Sequence, residues 1–153
     1  MESNRRKIAL DVGDKRIGVA VSDALLITAQ GVTTLVRTGL QKDIDQIIAL
    51  VEQYECDAIV MGLPKGLDGA DTRQTEKVYA FKEALEHRLQ KAAMEHIEIV
   101  LEDERFTTVL AERILIEADV RRDKRKKVID KQAAVVMLQG YLDRLAVMRK
   151  HTT

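Results

Sequence analysis

The run IALDVGDKRIGVAVSD, residues 8–23, restricts the fold more than any other part of the chain. Ile8, Leu10 and Val12 alternate along its first half, and Ile17, Val19 and Val21 along its second. A period of two is the pattern of strands with one face against a core. Only a tight turn separates the halves, so the two strands must pair antiparallel. Asp11 breaks the pattern, because a carboxylate is disfavoured inside a strand. An acid at that position calls for a functional explanation.

The rest of the chain alternates between strand and helix signals. GVTTLVR, residues 31–37, is β-branched and predicts a third strand. Ile44, Ile47, Ile48 and Val51 then recur at the helical spacing i, i+3, i+4, i+7. DAIVMG, residues 57–62, is a short continuous apolar run of the kind covered on both faces in a parallel sheet. GLPKGLDGAD, residues 62–71, is a loop with the single proline. A second helix is expected from Thr72 to Ala92, with Val78, Phe81, Leu85 and Leu89 on one stripe. IEIVLED, residues 97–103, is a fifth strand. Thr107 or Thr108 can cap a third helix carrying Leu110, Ile114 and Leu115. RRDKRKK, residues 121–127, reads as a charged loop. Asp130 then opens a fourth helix with Ala134, Met137, Leu138, Tyr141, Leu142 and Leu145 as its stripe.

The order β-β-β-α-β-α-β-α-α predicts an α/β fold. The first three strands, joined by short turns, are antiparallel; the last two, reached through helical crossovers, run parallel to the first. The result is a mixed five-stranded sheet flanked by helices, the order of ribonuclease H-like folds. At 153 residues the chain suits a single domain from 1 to 153.

In such a sheet, ligands bind at the carboxyl ends of the parallel strands. Asp11 is near that end of the first strand, and Asp103 and Glu104 directly follow the last. Asp130, at the start of the final helix, would be favoured by the helix dipole. Two carboxylates about 4 Å apart repel by roughly 4 kcal/mol at an effective dielectric near 20. A divalent cation reverses that sign, and hard oxygen ligands suit Mg²⁺ or Mn²⁺. Paired ions of this kind activate water and stabilise the leaving oxygen of a phosphodiester. A plainer reading stands beside this one: Asp103 as a strand-end turn residue and Asp130 as a helix cap.

Charge and composition narrow the partners. Acids and bases balance at 25 each, so any nucleic-acid surface must be a local patch rather than a whole-molecule field. Aromatic residues are 3% of the chain and tryptophan is absent, which argues against a base-stacking platform. Candidate phosphate contacts are Arg16, Lys65 and Arg105 near the acids, and Arg121, Arg122, Lys124, Arg125, Lys126 and Lys127 before Asp130. Each has a structural alternative: a solvated loop, an ion pair such as Arg16 with Asp14, or glycines serving the loop's turns. His87, His96 and His151 lack metal-ligand spacing and are expected at the surface. Cys56 stands alone, consistent with a reducing compartment. No apolar run approaches the roughly 20 residues of a bilayer span. A soluble, cytoplasmic protein is expected.

LDVGDKRIGVAVSD, IVMGLPKGLDG, EDERFTT and IDKQAAVVMLQGYLD together resemble the YqgF family, also called RuvX, from about Lys7 to Asp143. Four motifs in the right order make a specific match. The resemblance implies a ribonuclease H-like nuclease that either matures the end of pre-16S ribosomal RNA or resolves Holliday junctions in branched DNA. It carries the family's acids onto Asp11, Glu104 and Asp130, with Asp103 as a possible additional acid, and implies Mg²⁺ or Mn²⁺ as cofactor. The family's D-E-R-x-T-T motif falls on Asp103 to Thr108. One departure is AQGV at 29–32, where the family pattern has A-Q-P-L, so Gly31 replaces a proline in a connection away from the acids.

The fold that the resemblance implies sets the strand at 57–62 beside the first strand and the one at 97–102 one further out, so Asp11 and the DER segment should be roughly 10 Å apart in backbone. The longer Glu104 bridges that gap better than Asp103. Two rival readings are a non-catalytic nucleic-acid or ribosome-binding module and a sugar-kinase or actin-like ATPase. Clustered acids disfavour the first. The second needs two such domains around a nucleotide, more than this chain supplies. A two-fold junction would favour a dimer, an RNA substrate allows a monomer, and the sequence leaves both open.

Overall fold

The structure, a computed structural model, describes residues 5–104 and 122–151, with side chains of the last segment from 132 to 150. Its elements are β1 (Arg6–Val12), β2 (Arg16–Ser22), β3 (Ala29–Val36), α1 (Leu40–Gln53), β4 (Cys56–Leu63), α2 (Arg73–Lys91), β5 (Glu98–Asp103) and α3 (Arg122–His151). The five strands form one sheet in the order β3-β2-β1-β4-β5. β2 is antiparallel to both β1 and β3, whereas β4 is parallel to both β1 and β5. This is the mixed ribonuclease H-like sheet that the element order predicts.

Strand alternation divides the side chains between two cores. On one face Ile8, Leu10, Ile17, Val19, Ile59 and Met61 pack with Ile44, Ile47, Phe81 and Leu85 of α1 and α2. On the other, Ala9, Ala20 and Val60 meet Ala133, Ala134, Met137 and Leu138 of α3. The second face is built from small residues, and alanines on both sides let a long helix lie close to the sheet. The apolar stripe expected for the last helix is therefore the one that packs.

α2 starts one residue after the expected Thr72, which is its cap. The Thr72 hydroxyl accepts from the Thr75 N–H at 3.3 Å, and the Thr75 hydroxyl accepts from the Thr72 N–H at 2.9 Å. The buried Thr75 hydroxyl also donates to the Pro64 carbonyl, tying the helix start to the end of β4.

Three expectations need correction. Residues 122–127 of the basic run are helical, not a loop, because α3 already begins at Arg122. Neither glycine nor proline interrupts the chain from 121 to 139, and Lys and Arg are good helix formers. Asp130 therefore lies in the third turn of α3, beyond the first turn where a helix dipole acts, and is not its cap. Gly31 lies within β3 rather than in a connection: Ala20 pairs with Gly31 but Val19 with Thr33, so Val32 is the extra residue of a bulge. The helix expected after Thr107 falls outside the described residues.

Candidate active site

Asp11 is 7% exposed, in the last turn of backbone before β1 ends. It follows Ala9 on the α3 face of the sheet, so its carboxylate does not enter the larger core. Its neighbours across both flanking strands are glycines. Gly18 pairs with it on β2, and Gly62 follows the Leu10–Met61 pair on β4. The ground around this carboxylate is thus cleared of side chains on either side.

A cleft of about 130 Å³ opens at the carboxyl end of β1 and β4. Asp11, Val12 and Gly13 line it from β1 and its turn, Gly62 and Pro64 from the end of β4, Gln74 from α2 and Glu104 from just beyond β5. Two acids separated by 93 positions in the chain, Asp11 and Glu104, therefore share one small recess. Asp103 pairs with Leu63 and lies outside this lining. Alternation places it on the face opposite Glu102, whose carboxylate pairs with Arg144 of α3. The longer carboxylate is the one that crosses β4.

Gly62 makes the crossing sterically open. A methyl group at this position would lie 2.8 Å from Glu104 Oε1 and 3.0 Å from Met137 Sδ. This residue was not singled out by sequence reasoning, although a glycine inside a strand does signal a close approach by another group.

The β1–β2 turn that forms one wall is held from behind. Gly13 N–H donates to Arg16 O at 2.9 Å, and Arg37 N–H to Lys15 O at 2.9 Å. The Arg37 guanidinium donates to Gly13 O and to Asp43 Oδ2, each at 3.0 Å, and sits 5.3 Å from the centroid of the Phe81 ring. Asp43 is 1% exposed and also accepts from Thr38 N–H at 3.0 Å. This Arg37–Asp43 brace likewise had no sequence signal beyond an acid in a helix's first turn.

The proposed phosphate contacts separate into groups. Asp14 pairs with Lys77 at 2.9 Å, not with Arg16, and that hydrogen bond holds its carboxyl below the ordinary range. Arg16 Nε is buried with no hydrogen-bond partner among the described residues. Lys65 spans its loop to Asp71 at 3.7 Å and is not in the cleft lining. Arg105 and Arg121 lie outside the described residues, as do the side chains of Arg122, Lys124, Arg125, Lys126, Lys127 and Asp130. His87 and His96 are exposed, as expected.

Hard carboxylate oxygens facing one recess suit a divalent cation of the Mg²⁺ or Mn²⁺ type. Among the described residues no group of three His, Cys, Asp or Glu side chains forms a complete cage. No helix among them is long and apolar enough to cross a membrane.

Comparison with known proteins agrees with this architecture. The RuvX family model, described as Holliday junction resolvase, matches residues 5–144. A protein of Clostridioides difficile, provisionally named a pre-16S rRNA nuclease, is 51% identical over 90% of this chain and 94% of its own. A Clostridium kluyveri protein with the same provisional name is 46% identical over 92% and 98%. Among solved structures, Thermus thermophilus RuvC in complex with a Holliday junction superposes with a TM-score of 0.55 at 14% identity, covering 92% of this chain and 96% of that one. The fowlpox virus resolvase bound to junction DNA gives 0.55 at 13% identity, over 92% and 98%. Those two share the fold. With the family model spanning nearly the whole chain and relatives about half identical to it, the protein belongs to the RuvX family.

Proposed function

We propose that this protein is a divalent-metal-dependent nuclease, a single catalytic domain that cleaves a phosphodiester near the end of pre-16S ribosomal RNA. The observation that carries the reading is the shared cleft of Asp11 and Glu104, built from distant segments in a chain about half identical to relatives named for this activity. In this reading Asp11, Glu104 and Asp130 hold the metal. The spacing of position 130 to Ala134, Met137 and Leu138, four, seven and eight residues on in the same helix, supports this reading. Bound Mg²⁺ or Mn²⁺ supplies an activated water and neutralises charge on the leaving oxygen.

The chain's own groups do the rest. Asp11, nearly excluded from solvent and flanked by glycines, leaves room for a backbone phosphate to approach its oxygens. Arg16 opens β2 beside the turn, and its guanidinium is the group suited to bidentate phosphate binding there. The basic run Arg121–Lys127, with Arg105 and Lys65, supplies further cations for the flanking backbone. Low aromatic content fits recognition of backbone shape rather than splayed bases. A ribosomal precursor as substrate places the enzyme in the cytoplasm.

The family description supports a second reading, resolution of a four-way DNA junction. One preparation tested with Mg²⁺ or Mn²⁺ against precursor RNA and against a four-way junction separates the two. Cleavage of the RNA end is expected, and Asp11→Asn, which keeps shape and removes charge, should abolish it with stability unchanged or raised. Symmetric nicking of the junction by a dimer, with the RNA intact, would promote the resolvase reading. Full activity in Asp11→Asn would sink the metal-site assignment.

A further inference from the structure

We propose that Gly62 is a positioning residue: its missing side chain is the gate through which Glu104, carried on the far side of β4, delivers its carboxylate to the cleft of Asp11. The inference rests on the metal-nuclease reading and concerns how this chain assembles the site. β4 lies between β1 and β5, so an acid from the end of β5 must pass over β4 to meet Asp11. The position on β4 next to Asp11 is Gly62, the same position that pairs with Glu102 on β5. The Glu104 carboxylate occupies the volume a side chain would fill: its Oε1 is 2.8 Å from where a Cβ would stand, closer than real Cβ contacts allow. Met137 Sδ of α3 lies 3.0 Å from the same Cβ position, so an added methyl would crowd the sulfur as well as the carboxylate.

Glycine inside a strand is otherwise a penalty relative to alanine, because it costs backbone entropy and packs nothing. Local preference therefore points to alanine, and the carboxylate above the backbone explains glycine. Alanine would push Glu104 out of the recess without touching its chemistry.

The test uses the full-length protein without substrate, titrated with Mn²⁺ by calorimetry. Glu104→Gln should weaken Mn²⁺ binding, and Gly62→Ala should weaken it by a comparable factor, roughly tenfold to a hundredfold, as expected when the support of a ligand is lost. The double variant Gly62→Ala/Glu104→Gln should bind no worse than the weaker single one, because both changes remove one contact. Asp11→Asn combined with Gly62→Ala reports whether the remaining ligand set is intact. Gly62→Ala/Met137→Ala separates crowding by the sulfur from crowding by the carboxylate, and it also serves if the single variant fails to fold. Continued weak binding in that variant supports the inference, and restored binding overturns it.

Wild-type affinity in a folded Gly62→Ala, with Glu104→Gln impaired, overturns the role of Gly62 alone. Wild-type affinity in Glu104→Gln overturns the metal assignment of that acid and the inference with it.

Discussion

Arg37 and Asp43 show how a single pair can steady a site it never enters. The guanidinium joins the Gly13 carbonyl of the cleft wall to a buried carboxylate and covers the Phe81 ring. Asp43→Ala leaves both Arg37 and the Thr38 N–H without that acceptor. Since the Arg37 side chain is 23% exposed, water recovers part of the loss, and a cost of about 2 kcal/mol is expected rather than the full penalty of a buried orphan. Urea unfolding monitored by circular dichroism measures it, and a change under about 0.5 kcal/mol would show that the turn needs no brace. Asp11 is the opposite kind of residue. Its carboxylate breaks the local strand preference, and the residues beside it on both flanking strands are glycines.

At the scale of elements, α3 does two jobs along its length. Its described part packs on the sheet through Ala133, Ala134, Met137, Leu138 and Leu142. Its first turns carry the basic run, now on a helix instead of a loop. A helix holds cations at fixed spacing and reduces the ordering cost of binding a phosphate backbone. Replacing Arg125, Lys126 and Lys127 by alanine preserves helix propensity and removes three charges. If all three meet phosphates, the slope of log affinity against log salt should shrink by roughly 2 to 3 units. Filter binding across a salt series reads this directly, with cleavage at saturating substrate much less affected. An unchanged slope would mean that these side chains are merely solvated.

For the molecule as a whole, Cys56 is a built-in reporter. It opens β4, the strand between β1 and β5, and is 2% exposed. Burial, with help from the neighbouring Asp57 charge, pushes the thiol up to about 12 from an ordinary 9.0. Two outcomes follow from the raised value. At pH 8 a thiol reagent should label the native protein only as fast as the central sheet opens, with the rate rising in urea. The stability linked to the protonated thiol is complete below pH 9.0 and is lost as pH climbs from there toward 12. Cys56→Ala should therefore flatten that alkaline loss, and thermal melts from pH 8 to 11 on both proteins check it. Fast labelling of the native protein would show that β4 is not part of a cooperative core.

The strand and helix pattern was legible in the residues because it rests on local periodicity. The hairpin alternation of Ile8 to Val21, the stripe of Ile44 to Val51 and the stripe of Val78 to Leu89 each depend on neighbours within a few positions. Strand directions followed from connection lengths, strand order from the likeness to ribonuclease H-like folds, and Asp11 declared itself by violating strand preference. What the chain could not state was decided by contacts between segments far apart. The need for glycine at 62 depends on the Glu104 carboxylate and the Met137 sulfur both meeting that position of β4 in the folded chain. The Arg37–Asp43 brace spans a strand end and a helix that local patterns treat separately. The start of α3 was misjudged for the converse reason: a dense run of like charge resembles a solvated loop, yet with no glycine or proline to stop it the backbone continues as helix. Local periodicity determined the elements, whereas space between elements determined the site, because steric room is a property only of the folded chain.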